Sequence, residues 1–152
     1  MGGTRCLPWR PEYLVPLTSS LVPSPSMRFD LETRYNDFDT AGHVNNAVFL
    51  TYFEVARTKA WAALWGARRD VDYVLAEASV RYVSRAQLGE PLAIDIRTAE
   101  VRDKAWVWSY RVLDSRDGRL VADGRTVQVM FDFGAGSAVP IPAELRSRLA
   151  DI

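Results

Sequence analysis

The sequence predicts an α+β domain in which a five-stranded antiparallel sheet wraps around one long central helix. Apolar residues between Asn46 and Trp65 recur at steps of three and four, which is the period of an amphipathic helix. Five other segments have the pattern of strands, and the order along the chain is β-α-β-β-β-β. Because the apolar face of the helix is wide, it must be buried, and the predicted sheet is the element against which it can pack.

The first strand and the helix follow one another closely. From Arg28 to Tyr35 apolar and charged residues alternate, which indicates a half-buried strand. The helix is expected from Asn46 to Trp65, a length of about 30 Å. Asn45 or Asn46 can cap its start and Gly66 can end it.

Four more strands are expected after the helix. They are Tyr73 to Val83, Leu92 to Arg102, Ala105 to Asp114 and Leu120 to Phe133. Asp103-Lys104 and Asp117-Gly118 supply hairpin turns, and Ala143 to Leu149 is expected to form a short terminal helix. The apolar content of Trp106–Val112 and its neighbours predicts that the second face of the sheet is also apolar and needs cover.

Composition excludes several classes of function. The 152 residues suffice for one domain, and 19 basic residues balance 19 acidic ones, which argues against a nucleic-acid partner. No apolar run is long enough to span a membrane, and a cytoplasmic location is expected. The single cysteine, Cys6, and the single histidine, His43, exclude a disulfide within the chain and the familiar cysteine- or histidine-rich metal sites. No metal and no cofactor are expected.

Residues 1–26 differ from the rest of the chain. They contain five of the eight prolines and three charged residues. The expected organisation is a flexible, dispensable Pro-rich arm at 1–26 and a single domain at 27–152.

The segment between the first strand and the helix is the best candidate for a reactive site. Asp37 and Asp39 lie in a loop, Gly42 permits a tight turn, and an Asn pair precedes the helix. Backbone N–H groups at a helix start favour developing negative charge, and a nearby carboxylate can act as base or nucleophile. This arrangement predicts the opening of an acyl bond.

The same segment resembles a known family. Asp37 to Asn46 is similar to the signature of the hotdog-fold acyl-CoA thioesterases related to 4-hydroxybenzoyl-CoA thioesterase. The resemblance continues through weaker pieces in the right order, namely Tyr52 to Arg57, Val74-Leu75-Ala76, Tyr82 and Gln87 to Leu92. It spans roughly residues 28 to 133 and implies a hotdog fold, in agreement with the element order.

The resemblance implies roles for two residues of this segment, Asp39 and Asn46. Asp39 matches the acidic residue that attacks the thioester or activates water, and Asn46 matches the position whose backbone N–H receives the thioester oxygen. The alternative for Asp39 is an Asx turn in a polar loop. Asp37 either shares a site with Asp39 or, as we expect, anchors the loop through backbone N–H groups.

His43 and Gly42 complete the candidate site. The 4-hydroxybenzoyl type has an apolar residue at the position of His43, and the sequence His43 to Asn46 looks instead like the branch that acts on fatty acyl-CoA. His43 either orients water or the carboxylate, or bonds to the loop backbone. Gly42 is expected to let the chain turn between carboxylate and helix.

Substrate-binding residues are expected in two places. The acyl chain would lie along the helix against Val48, Phe49, Tyr52 or Phe53. Arg102 and Lys104, at the hairpin after the third strand, match the basic cluster that serves coenzyme A phosphates in the family, although Asp103 interrupts it. The alternative is a solvated hairpin of mixed charge.

The leading hypothesis is hydrolysis of acyl-CoA to a carboxylic acid and free coenzyme A. One alternative is an acyl-carrier-protein thioesterase with the same chemistry, and another is a non-catalytic acyl-binding hotdog module. Edge strands need cover, and hotdog domains of this kind pair into a continuous sheet. We therefore expect a homodimer at least, and most readily a homotetramer.

Overall fold

The computed structural model describes residues 25–66 and 72–152. The elements in chain order are β1 (Met27–Leu31), a 3-10 turn (Tyr35–Asp37), α1 (Val48–Trp65), β2 (Tyr73–Tyr82), β3 (Leu92–Val101), β4 (Ala105–Asp114), β5 (Leu120–Asp132), β6 (Ser137–Ala138) and α2 (Ala143–Ala150). The predicted α+β class and the order of the five long strands are confirmed. The N-terminal arm predicted at 1–26 lies outside the described residues apart from its last two.

The sheet is antiparallel with strand order β1-β3-β4-β5-β2, and the short β6 pairs with the end of β5. Strands β3, β4 and β5 are therefore central, whereas β1 and β2 are edges. Both predicted hairpin turns form: Arg102 N–H donates to Ala105 O at 2.7 Å, and Gly118, at φ +73°, donates to Asp114 O at 2.9 Å. The strand β6 was not predicted.

Helix α1 packs against one face of the sheet. Its buried residues recur at helical spacing, and four of the central ones are Phe53, Ala56, Ala60 and Trp61. Facing them from β4 are four fully buried side chains, Trp106, Trp108, Tyr110 and Val112. The ring of Phe53 stacks on that of Tyr110 with centroids 4.3 Å apart, and Trp61 stacks on Trp106 at 5.9 Å. Burying side chains of this size contributes about 1.5–3 kcal/mol each.

The second face of the sheet is apolar only in part. Trp106, Trp108 and Tyr110 face the helix, whereas the buried Val107 alternates with them and aligns with Val127 on the opposite face. Ion pairs occupy another part of that opposite face. Arg28 pairs with Asp95 at 2.6 Å, and Arg81 pairs with Asp123. Because the period of a strand is two, Ser109 and Arg111 of β4 share this face with the apolar Val107, so the face is mixed.

Two predicted boundaries shift. The first strand ends at Leu31 rather than Tyr35, whose side chain is 82% exposed. The helix begins at Val48 rather than Asn46, and Gly66, at φ +89°, ends it as expected with its N–H on Ala62 O at 3.0 Å. The segment between these two elements is consequently longer than predicted, and it carries the candidate site.

Candidate active site

Asp37 anchors the loop before the helix. Its Oδ2 accepts the Arg34 N–H at 2.8 Å and the Tyr52 hydroxyl at 3.0 Å, and its backbone oxygen accepts the Asn45 N–H at 2.8 Å. Burial, followed by the hydrogen bond to Asp37, raises the pKa of Tyr52, so this hydroxyl stays a donor. The contacts of Asp37 match the anchoring role expected from the sequence.

Asp39 is held in a turn but keeps one oxygen available. Its Oδ1 accepts the N–H groups of Ala41 at 2.9 Å and His43 at 3.1 Å, and its own N–H donates to His43 O at 2.8 Å. Gly42, at φ +73°, lets the chain reverse within this turn. Oδ2 accepts no hydrogen bond from any residue that the structure describes. The Asx turn therefore forms, and it orients a carboxylate whose second oxygen is free.

The start of the helix presents one backbone donor. Asn45 Oδ1 accepts the Ala47 N–H at 3.0 Å, and Asn45 O accepts the Val48 N–H at 3.0 Å. The N–H of Asn46 meets no acceptor within residues 25–66 and 72–152, while its carbonyl oxygen accepts the hydroxyl of Tyr82 at 2.9 Å. The N-cap position is Ala47 and no side chain of the described residues caps the helix, so the predicted cap by Asn45 or Asn46 is wrong; Asn45 instead bonds within the turn that precedes the helix.

Asp39 and the Asn46 turn meet in one cleft. The cleft is open to solvent and has a volume of about 390 Å³. The described residues that line it are Asp39, His43, Val44, Asn46, Phe49, Tyr82, Val83, Ser84, Arg85 and Ala86. The ring of His43 makes no hydrogen bond to the described part of the chain, since its contacts there are through the backbone. Asp39, His43 and Asn46 thus line one small space.

Several predicted substrate-binding residues lie elsewhere. Of the predicted acyl-contacting residues only Phe49 lines the cleft, whereas Tyr52 is buried beside Asp37 and Phe53 lies in the core. Val48 is half-buried and does not line the cleft.

The predicted basic cluster is also away from this cleft. Arg102 donates twice to Glu100, at 2.9 Å each, and Lys104 donates to Ala138 O at 3.1 Å. In the sheet Tyr82 aligns with Ala122 of β5, whereas Ala105, next to the hairpin, aligns with Val129. Seven residues of strand correspond to about 23 Å, so within one chain the hairpin and the cleft occupy opposite ends of the sheet.

The sequence reading missed the second wall of the cleft, the segment Tyr82–Ala86 at the end of β2. This wall is tied to the Asp39 loop, because Val44 N–H donates to Ala86 O at 2.9 Å and His43 bridges to Gln87. Tyr82 also packs edge-on against Phe49 at 5.5 Å. Tyr82 was part of the family resemblance, which was the one available signal.

Arg119 fixes this wall from behind. Its guanidinium donates to Ser84 Oγ at 2.7 Å, Arg85 O at 2.8 Å, Glu90 Oε2 at 3.0 Å and Asp114 Oδ2 at 3.1 Å. Hydrogen bonding from Arg116, together with Arg119, holds the pKa of Asp114 far below its usual value. The pKa of Glu90 is lowered chiefly by the backbone N–H of Gln87. The ionised carboxylates of Asp114 and Glu90 therefore hold Arg119 in position, and Arg119 in turn holds the segment Tyr82–Ala86.

Neither a metal site nor a membrane span is found in the described part of the chain. No three residues of the types His, Cys, Asp and Glu lie together there in a way that could hold a metal ion. None of the described helices combines the length and the apolar character needed to cross a bilayer.

Comparison with known proteins identifies the family. The family model of the thioesterase-like superfamily matches residues 33–149. The long-chain acyl-CoA thioesterase FadM of Escherichia coli is 26% identical over 130 residues, covering 81% of this chain and 96% of that protein.

Solved structures agree with the fold. A thioesterase from Thermus thermophilus, complexed with coenzyme A and zinc, is 29% identical with a TM-score of 0.71, over 80% of this chain and 90% of that one. A 1,4-dihydroxy-2-naphthoyl-CoA thioesterase from Synechocystis is 17% identical, with a TM-score of 0.75 over 84% and 98% of the two chains, and supports the fold alone. The resemblance seen in the sequence is thereby confirmed, and the chain belongs to the thioesterase-like superfamily with its hotdog fold.

Proposed function

We propose that this protein hydrolyses acyl-CoA thioesters to a carboxylic acid and free coenzyme A. The observation that carries the proposal is one cleft lined both by Asp39, whose Oδ2 accepts no hydrogen bond from the described residues, and by Asn46, whose N–H meets no acceptor among them. The similarity to proteins named as acyl-CoA thioesterases supports this substrate class.

The chemistry follows from these two groups. The thioester carbonyl oxygen would accept the Asn46 N–H, which stabilises the charge that develops on that oxygen. The Asp39 carboxylate would either attack the carbonyl carbon or remove a proton from an attacking water. In both routes the C–S bond breaks, and the leaving thiolate needs no strong acid because a thiol has a pKa near 8.5. In the first route water then hydrolyses the mixed anhydride formed with Asp39, which releases the carboxylic acid and restores the carboxylate. His43 is placed to orient the water in the second route.

Acyl recognition is proposed for the apolar part of the cleft. Phe49 and Tyr82 form an edge-to-face pair there, and Val44 also lines the cleft. The acyl chain would therefore contact the end of β2 as well as the helix. Val48 and Tyr52 are not part of this proposal, since neither lines the cleft.

A screen of thiol release tests the function directly. The panel runs from acetyl-CoA to palmitoyl-CoA and includes benzoyl- and phenylacetyl-CoA, with the same acyl groups on acyl carrier protein. Turnover on the CoA series is expected, and faster turnover on the carrier-protein series would favour the alternative carrier. Binding of acyl-CoA without release of thiol from any member would instead support a non-catalytic acyl-binding module.

A paired assembly is part of the proposal. Strand β2 is an edge, and its middle residues, including Leu75 at 46%, are exposed. On the helix, Leu50 and Val55 are exposed as well. An unpaired edge with apolar neighbours favours pairing with a second copy.

Two-fold pairing of β2 would complete the active site. Antiparallel pairing of the strand with its own copy places the Tyr82 end of one protomer beside the Tyr73 end of the other. The hairpin with Arg102 and Lys104 lies at the Tyr73 end of the sheet. The two cations that are remote from the cleft in their own chain would thus approach the cleft of the partner and serve the coenzyme A phosphates there.

A further inference from the structure

The cleft contains a positive charge that the proposed chemistry does not use. Among the described lining residues, Arg85 is the one with a permanently cationic side chain. Its side chain is exposed and forms no ion pair or hydrogen bond within the described residues. The neighbouring arginines differ: Arg116 pairs with Asp114 at 2.6 Å, and Arg119 pairs with Glu90 at 3.0 Å.

The backbone of Arg85 is held on both sides. Its carbonyl oxygen accepts Arg119 Nη1 at 2.8 Å, and the adjacent Ser84 N–H donates to Val121 O at 3.0 Å. On the other side, Ala86 O accepts the Val44 N–H at 2.9 Å. The main chain at Arg85 is thus fixed to the core and to the Asp39 loop, while Arg85 lines the cleft and its guanidinium has no partner among the described residues.

We infer that Arg85 binds an anionic group of the thioester substrate and so helps to determine which thioesters the cleft accepts. A guanidinium matches the two oxygens of a carboxylate or phosphate with two parallel hydrogen bonds. The anion has two sources, a carboxylate at the far end of the acyl group or a phosphate of the carrier. The inference rests on the proposed thioester substrate.

Binding of four non-hydrolysable thioethers tests the inference and identifies the source. The ligands are a hexyl chain and the same chain ending in a carboxylate, each attached to coenzyme A and to pantetheine, which has no phosphate. Calorimetry gives the dissociation constant of each for the parent, Arg85→Gln and Arg85→Lys. Arg97→Gln is the matched control, because Arg97 is an exposed arginine that donates to Ser109 on β3 and β4, away from the cleft.

Arg85→Gln is expected to weaken binding of the anion-bearing ligands by about tenfold, and Arg85→Lys by less. A loss confined to both coenzyme A ligands identifies a phosphate, and a loss confined to both carboxylate-ended ligands identifies an acyl carboxylate. Equal affinities for parent and Arg85→Gln across all four ligands, or absence of binding to any, would overturn the inference. Thiol release from acyl-CoA by the parent is measured separately, so that a failure of catalysis is distinguished from a failure of anion recognition.

Discussion

Asp37 and Asp39 lie two residues apart, yet their carboxylates have different surroundings. Asp37 Oδ2 is occupied by the Arg34 N–H and the Tyr52 hydroxyl, whereas Asp39 is exposed and only its Oδ1 is engaged. The structural contacts therefore separate a carboxylate that holds the loop from one that is available to a substrate.

Replacement of Asp39 by Asn tests this division. Asp39→Asn is expected to lower kcat by at least about 10³, because both routes of attack need the ionised carboxylate. The amide oxygen can still accept the N–H groups of Ala41 and His43, so the melting temperature should change little. Steady-state kinetics on the best acyl-CoA and thermal unfolding measure the two effects.

Asp37→Asn is the matched control for that experiment. It removes a charge from a half-buried group that accepts two hydrogen bonds, so it should cost more stability and less activity than Asp39→Asn. Activity of Asp39→Asn within tenfold of the parent would show that another group performs the attack.

Local hydrogen bonds of Asp37 and Asn45 explain why the first strand and the helix have other boundaries than the sequence predicted. Alternation extended the first strand to Tyr35, but the Asp37 side chain bonds to the Arg34 backbone and closes a 3-10 turn instead. Side-chain bonds of this kind compete with a strand, and periodicity does not reveal them. In the same way, Asn45 rather than Asn46 bonds to the Ala47 N–H, and the helix starts later.

At the scale of elements, helix α1 and the sheet approach each other closely at Gly124 of β5. A methyl group added there would collide with Ser79 O and lie 2.6 Å from Cε2 of Phe53. Gly124 pairs with Tyr110, on which the Phe53 ring stacks. A side chain at this position would push the helix away from the sheet.

Gly124→Ala is therefore expected to reduce the free energy of unfolding by about 1–3 kcal/mol. Gly134→Ala is a suitable control, because its nearest contact is 3.2 Å away, at the end of the Asp132 side chain in an exposed turn. Urea unfolding of both variants measures the difference. Equal midpoints for the two would show that the sheet and helix can separate at little cost.

The ion-pair network behind the cleft predicts sensitivity to acid. The pKa values of Asp114 and Glu90 are below those in the unfolded chain, so their ionised forms stabilise the folded state at neutral pH. The stabilisation is complete above the unfolded value of about 4. It is lost as the pH falls through the lower pKa values of the folded state.

The melting temperature should accordingly be nearly constant from about pH 7 to 5 and fall steeply below about pH 4. Asp114→Asn should melt lower at neutral pH and show a shallower decline in acid, and Glu90→Gln should show a smaller effect of the same kind. Thermal unfolding followed by circular dichroism across this range is the measurement. Parallel curves for parent and both variants would contradict a stabilising role of these carboxylates.

Element types were largely predictable, because helix and strand periods follow directly from which residues face the core. The walls of the cleft were less so. Segment Tyr82–Ala86 reaches the Asp39 loop through the Val44–Ala86 and His43–Gln87 contacts, which join parts of the chain some forty residues apart. No local pattern encodes that pairing. The partner of Lys104 was hidden for the same reason, since Lys104 bonds to the distant Ala138, whereas Arg102 bonds to Glu100, which is close in the sequence.

At the scale of the whole molecule, the position of the hairpin that carries Arg102 and Lys104 decides whether these cations can reach a substrate. Arg102 and Lys104 were predicted to contact the substrate, yet they lie at the end of the sheet opposite the cleft of their own chain. They can serve the site only if a second copy is present. The outer face of the sheet is mixed, since it carries the Arg28–Asp95 and Arg81–Asp123 pairs as well as Val107, and the prediction of assembly therefore rests on the exposed β2 edge.

Light scattering at micromolar concentration is expected to give a multiple of the 17.1 kDa chain mass, with a dimer as the minimum.

Complementation tests whether two chains share a site. Asp39→Asn supplies intact cations, and an Arg102→Gln/Lys104→Gln variant supplies an intact carboxylate. When the two variants are refolded together in equal amounts, about half of the dimers contain one chain of each. In each mixed dimer one of the two sites has both the Asp39 carboxylate and the two cations. Activity should therefore return to about a quarter of the parental value, above the mean of the two impaired variants. A mass of 17.1 kDa for the active enzyme would exclude a shared site, and a mixture no more active than that mean would show that the two cations do not act across the pair.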